Sequence, residues 1–163
     1  MEITHCKTFD ELDKVKFSEL VESGFGRKLT PDYFNVTNPS QIYLAIQDTR
    51  YVGSIVIENI PGQDGILYLD KVVVAKDLQG NGIGKLLWNE MASSTPKAVW
   101  RAKKDNPIIE AYKKRSDAVI QVEGSKYLFF QFGLSEHELK TALEYAVAKI
   151  PTLEENVKLA MQR

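Results

Sequence analysis

Cysteine is almost missing from this chain. Cys6 stands alone among 163 residues, so no intrachain disulfide can form and no cysteine-rich metal site can be built. The expectation is a protein of a reducing compartment that holds no metal. Long apolar runs are also missing: those around residues 72–75 and 127–130 fall far short of the roughly 20 residues a membrane helix needs. The opening MEITHCKTFDE has neither the basic nor the apolar segment of a signal peptide. Charge of one sign is lacking as well, since 21 Lys and Arg face 22 Asp and Glu, and a net charge of -1 offers no global field to nucleic acid or an anionic membrane. These absences point to a soluble cytoplasmic protein, or a mitochondrial one if a transit segment preceded it, with no nucleic-acid and no membrane partner.

What is present is an ordinary globular composition, 44% apolar and 26% charged, which predicts a single domain over residues 1–163. A chain of this length buries roughly 70% of the surface it exposes when unfolded and needs no staples. Charge is uneven locally. Residues 97–115 carry seven basic side chains and two acidic ones, which fits either an anionic ligand or a solvated face.

Thr8 and Glu11 have capping-box spacing, with Phe9, Leu12, Val15 and Leu20 as the apolar series of a first helix that Gly24 and Gly26 interrupt. A short helical stretch at Thr30-Pro31-Asp32 follows. Ile42, Leu44 and Ile46 alternate, residues 47–50 turn, and 51–58 return as the second arm of a hairpin. After a turn at 61–65, residues 66–75 read as a central strand. The order then runs through the loop QGNGIG at 79–84, a helix from Lys85, a strand at 98–102 and a helix that Asn106-Pro107 begins and that contains Tyr112. Strands near 119–122 and 127–132 come next. A second capping box at Ser135 and Glu138 opens a last helix with Leu139, Leu143, Ala146 and Ile150 as its stripe. The sum is an α/β (α+β) domain whose central, mostly antiparallel mixed sheet of six or seven strands is flanked by helices.

Three glycines in six residues between a strand and a helix let the backbone approach a phosphate at the helix N-terminus, although a glycine-rich connection without a ligand has the same composition. Spacing excludes two phosphate loops. Gln79 stands where a Walker loop needs its first glycine and Leu86 where it needs a hydroxyl, and Gly80, Gly82 and Gly84 do not follow the dinucleotide fingerprint.

The pattern of Gln79, Gly82 and Gly84 instead resembles the acetyl-CoA pyrophosphate loop of the GNAT superfamily of N-acetyltransferases. The blocks GFGRKL (24–29), YLDKVVV (68–74), WRAKKDNPI (100–108) with Tyr112 beyond it, and FFQFGL (129–134) are similar to the acetyltransferase domain of vertebrate and fungal N-acetylglutamate synthases and of bifunctional synthase/kinases. The resemblance covers most of residues 24–134 and implies the GNAT fold. It also implies acetyl transfer from acetyl-CoA to the α-amine of L-glutamate by direct attack, without an acyl-enzyme, in arginine biosynthesis. Val72, Val74, Gln79, Gly80, Gly82, Gly84 and Lys85 would hold the cosubstrate, and Lys28, Lys71, Arg101, Lys103 and Asn106 the glutamate.

The residue types suit that chemistry. Arg101 and Lys103 lie two apart on one strand and so share a face, and a guanidinium clamps a carboxylate with two hydrogen bonds. The family often has Arg where Lys103 stands, so bidentate geometry is lost there while the charge is kept. Tyr112 is the candidate acid for the departing thiolate, its other reading being a helix tyrosine packed on the core. No histidine stands in the blocks to act as base, which leaves a water chain or the backbone. Cys6 lies outside every block. The alternatives are a GNAT enzyme acting on another small amine and an acetyl-CoA-binding regulatory or assembly module of an acetylglutamate kinase, with a homodimer or an attached amino-acid kinase domain as the expected assembly.

Overall fold

Seven strands form one mixed sheet in the order β1-β2-β3-β4-β5-β7-β6 in the computed structural model, which describes residues 1–155. Residues 156–163 of the expected 1–163 domain lie outside the described part. The elements are β1 (Glu2–Cys6), α1 (Lys14–Phe25), α2 (Tyr33–Val36), β2 (Pro39–Gln47), β3 (Arg50–Asn59), β4 (Leu67–Val74), α3 (Ile83–Ala92), β5 (Ala98–Lys103), α4 (Ile109–Arg115), β6 (Ala118–Gln121), β7 (Tyr127–Phe132) and α5 (Glu136–Ala148). The expected sheet and its flanking helices are both there, and the strand count is the upper of the two expected.

The local signals explain most elements. Between β2 and β3, Asp48 and Thr49 both take positive φ, 49° and 68°, the turn whose twist matches that of the paired strands. Ser135 accepts from the Glu138 amide at 3.2 Å while Glu138 reaches back to the Ser135 amide at 3.0 Å, so the predicted box does start α5.

Four expectations need correction. The Thr8–Glu11 box closes only a 3-10 turn over Phe9–Glu11, and α1 starts at Lys14, where the Asp13 carboxylate caps the Lys16 amide. Val15 is consequently 67% exposed, and Phe17, Leu20 and Val21 form the buried stripe. The edge strand β1 was not foreseen, because EITHC is too short and polar to show alternation; it pairs with β2 from Glu2↔Ile46 to Cys6↔Ile42. Helix α3 starts at Ile83, so Gly84 lies in its first turn and not in the loop. Ile150 lies past the end of α5 and is 79% exposed.

Alternation along the strands, reset where the register slips, divides the core between the two faces of the sheet. On one face α3 and α4 pack Ile83, Leu87, Trp88, Met91, Ile109 and Tyr112 against Ile55, Ile57, Leu69, Trp100 and Phe130. On the other, α1 and α2 cover Ile42, Val56 and Val73, and α5 covers Tyr68, Val99 and Phe129.

One seam differs from all the others. β4 and β5 run parallel and pair only at Leu67↔Ala98 and Tyr68↔Val99, although β4 continues to Val74 and β5 to Lys103. Beyond Tyr68 the two strands have no pairing with each other. The β3–β4 register slips just there, from Ile57↔Leu69 to Val56↔Lys71, leaving Asp70 as an extra bulged residue. The bulge and the end of the parallel pairing together open a gap in the middle of the sheet.

Candidate active site

The gap has two differently furnished faces. Toward α3, Val72 and Val74 belong to the same apolar cluster as Trp100 and Tyr112. The edge of β4 that faces β5 lacks a strand partner beyond Tyr68, so its N–H and C=O groups suit an extended ligand that lies along it.

The glycine loop follows directly. Gly80 and Gly82 take φ of +89° and +86°, backbone that L side chains rarely adopt, and a Cβ at either would meet nothing within 4 Å. That open space lies before the first turn of α3, whose leading amides have no acceptor within the helix. A pyrophosphate fits there, with the helix dipole in its favour. Gly84 has a different place, since its Cβ would stand at an ordinary 3.5 Å from Val74 Cγ2. Gln79 has turned inward: its Nε2 donates to the Val74 carbonyl at 3.1 Å and the Gly24 carbonyl at 3.4 Å, which ties the loop to the ends of β4 and α1. Lys85 is exposed on the first turn.

Tyr112 is buried among Phe130, Trp100 and Trp88, with ring centroids at 5.4, 5.7 and 6.3 Å. Burial pushes its phenol well above the ordinary value, opposed in part by the Arg115 charge, so the hydroxyl stays protonated and can donate. Beside it the Trp100 indole N–H is fully buried without an acceptor. A donor left in that state costs about 1–3 kcal/mol, and a ligand carbonyl would satisfy it. The sequence reading did not single out Trp100, since a lone tryptophan in a strand reads as core.

The opposite face carries the cations. Arg101 Nη1 donates to the Ala146 carbonyl of α5 at 2.9 Å, and its guanidinium lies 4.2 Å from the Tyr127 ring centre. Lys103, one strand repeat further, pairs with Glu155 at 3.4 Å. Lys71 is only 6% exposed; its ammonium donates to Thr152 Oγ1 at 2.7 Å and Asp70 Oδ2 at 3.2 Å and sits over the Tyr33 ring. Asp70 also accepts from the Tyr33 hydroxyl at 2.8 Å, an arrangement the bulge permits by turning two successive side chains to one face. Desolvation lowers the Lys71 pKa, with the Asp70 charge opposing it. Lys28 is exposed and no contact ties its side chain to the gap among the described residues, while Asn106 uses its Oδ1 to accept from the Ile108 amide at 3.0 Å at the start of α4. The structure therefore brings Lys71, Arg101 and Lys103 to one face and sets the glycine loop, Val72, Val74 and Tyr112 on the other.

Tyr33, Asp70 and Thr152 escaped the sequence reading. An Asp-Lys pair inside a strand of otherwise apolar residues was the visible signal for Asp70; Thr152 lies 81 positions from Lys71 and gave none. His5 and His137 are both exposed, as expected. Cys6 is buried, and desolvation raises its thiol pKa.

Residues 4–150 match the family model described as NAT, N-acetyltransferase, of N-acetylglutamate synthase. The chain belongs to this NAT family. An acetylglutamate kinase of Xanthomonas campestris is 34% identical over 93% of the chain, and the mitochondrial N-acetylglutamate synthase of Homo sapiens is 32% identical over 80% of it. The NAT chain spans 35% and 24% of these two relatives. Among solved structures, a GNAT-family acetyltransferase from Desulfovibrio desulfuricans superimposes with a TM-score of 0.61 at 17% identity, covering 80% of this chain and 97% of that one. Diaminobutyrate acetyltransferase from Paenibacillus lautus, solved with L-2,4-diaminobutyric acid and coenzyme A, gives 0.58 at 18% identity over 81% and 95%. The NAT chain thus has the GNAT fold that its sequence blocks imply. Among the described residues no helix is long and apolar enough to cross a membrane.

Proposed function

We propose that this chain transfers the acetyl group of acetyl-CoA to the α-amine of L-glutamate, giving N-acetyl-L-glutamate. The observation that carries the reading is the gap between β4 and β5, with an open glycine loop on one face and three cations on the other. Acetyl-CoA supplies an activated thioester. Residues Gly80 to Lys85 take its pyrophosphate, the free edge of β4 at Val72 and Val74 takes the pantetheine arm, and the Trp100 N–H takes a carbonyl near the gap. Arg101 and Lys103, with Lys71 behind them and Lys28 and Asn106 at the rim, hold the two carboxylates of glutamate so that its amine points into the gap. Most of the acceleration then comes from proximity and from backbone N–H groups that polarise the thioester carbonyl. Tyr112, kept protonated by burial, donates a hydrogen bond to the departing thiolate, and the proton that the attacking amine releases passes through a water chain to the CoA sulfur.

Assembly with an amino-acid kinase domain, or as a homodimer, belongs to the same proposal; the match to a longer relative named acetylglutamate kinase supports the former. A cytoplasmic or mitochondrial location is proposed alongside it, and the mitochondrial names among the relatives favour the second.

Thiol release from acetyl-CoA across a panel of amino acids, with mass spectrometry of the product, tests the reading. N-acetylglutamate formed only with L-glutamate, at a kcat that Tyr112→Phe lowers about 100-fold or more, is the expected result. Acetyl-CoA binding without turnover on any acceptor overturns it in favour of a regulatory module.

A further inference from the structure

The cations assigned to the acceptor are already in company, and the company is the segment that follows α5, through residue 155. After α5 the backbone doubles back, and Leu153 forms an antiparallel bridge to Leu29. The Thr30 amide donates to the Thr152 carbonyl and the Glu154 amide to the Lys28 carbonyl, both at 2.8 Å. Leu153 packs its side chain against the α1 and α2 cluster. This strap brings the Thr152 hydroxyl to Lys71 at 2.7 Å and the Glu155 carboxylate between Lys103, at 3.4 Å, and Lys126, at 3.2 Å. Arg101 meanwhile bonds to the last turns of α5.

We propose that Glu155 is a specificity-determining residue, a resident carboxylate that holds the place of an acceptor carboxylate at Lys103 and yields it when L-glutamate binds. The inference rests on the acceptor reading given above. Its chemical ground is identity of groups, since the side chain of Glu155 ends in the same carboxylate as the γ end of glutamate. Among the described residues the strap is held by one bridge of two backbone hydrogen bonds, the Leu153 side chain and the Thr152 hydrogen bond to Lys71, while Glu155 itself is held only by ion pairs from a side chain 59% exposed, which a substrate carboxylate can exchange. Lys126 and Lys103 keep the Glu155 carboxyl below the ordinary carboxylate range, so it is an anion wherever the substrate is one. Thr152, by contrast, is buried and accepts from Lys71, which fixes that ammonium when the strap is seated.

An occupant that must leave raises the apparent dissociation constant of the ligand by the reciprocal of the fraction already vacated. Exposed ion pairs are weak, so the expected effect is modest: Glu155→Gln lowers the KM for L-glutamate about two- to fivefold, with no matching fall in the KM for acetyl-CoA. Leu153→Asp, which loosens the whole strap, lowers it at least as far. In the wild-type chain, L-glutamate speeds hydrogen exchange at the Thr30 and Glu154 amides several-fold, and L-lysine at equal concentration does not. A KM for L-glutamate that is unchanged or raised in Glu155→Gln, with exchange at the two amides unaffected, makes the strap a fixed wall and overturns the proposal. Failure of the acceptor reading shows separately, as absence of N-acetylglutamate from the wild-type chain, and the proposal falls with it.

Discussion

Arg101 shows what one side chain can do at the gap. A guanidinium has five N–H donors in a fixed fork; one goes to the Ala146 carbonyl and the plane stacks on Tyr127, which leaves the others for a carboxylate. Hydrogen bonds to a charged group are worth about 1.5–3 kcal/mol, so Arg101→Ala is expected to raise the KM for L-glutamate about 10- to 100-fold while the KM for acetyl-CoA changes little. Steady-state kinetics in both substrates checks this, and equal losses for both would remove the carboxylate role. At this scale the sequence was informative wherever a residue type stood out against its surroundings, as Arg101 and Lys103 do two apart on an apolar strand. It was silent where partners come from distant segments. Nothing near Lys71 announces Thr152, and Gln79 reads as a ligand residue although its amide holds Val74 and Gly24.

Elements meet with little slack around β4. A Cβ on Gly24 of α1 would overlap Val73 Cγ2 and stand 2.7 Å from the Val74 carbonyl oxygen, so Gly24→Ala must push the helix off the strand that lines the gap. Overpacking of this kind costs about 1–3 kcal/mol, and urea denaturation should show it as a lower midpoint at unchanged slope. At the start of α5, the hydrogen bond from Lys97 at 2.6 Å and that from the Ser135 amide hold the Glu138 carboxyl at about 2, below its ordinary 4.5. A carboxylate with a depressed folded pKa stabilises above its unfolded value and loses that contribution as pH falls through the folded one. The melting temperature should therefore fall between pH 4.5 and pH 2, and Glu138→Gln should flatten that part of the curve. The two capping boxes also mark the limit of reading elements from sequence. The same spacing opens a helix of thirteen residues at Ser135 and a 3-10 turn of three at Thr8, because Asp13 supplies a separate cap a few residues on. A box tells where a turn begins and not how far it propagates.

For the molecule as a whole, the sheet consists of two antiparallel blocks, β1 to β4 and β5 to β7, joined by two residue pairs. Alternation and β-rich runs in the sequence made every strand but β1 legible, and a resemblance in four blocks supplied their arrangement. The early end of the β4–β5 pairing, which opens the gap proposed as the site, coincides with a one-residue bulge that periodicity does not reveal. A ligand that spans the gap contacts both blocks and should stabilise the fold. At 100 times its dissociation constant, CoA adds about 2.7 kcal/mol, equivalent to a rise of about 5–10 °C in Tm for a chain of this size. Gly82→Val, which fills the open loop and strains its backbone, should abolish that rise, and calorimetry should then find no CoA binding.

The two-pair seam also bears on how the molecule comes into being. Strands β1 to β4 find all their antiparallel partners within residues 2–74, and β5 to β7 theirs within 98–132. On a ribosome the first block can therefore pair its strands before the second has left the tunnel, and the joining of the blocks comes last. The gap between β4 and β5 is then the unfinished edge of an assembly step. A chain cut in the 93–97 connection, offered as two fragments, should reassemble more readily when CoA is there to bridge them.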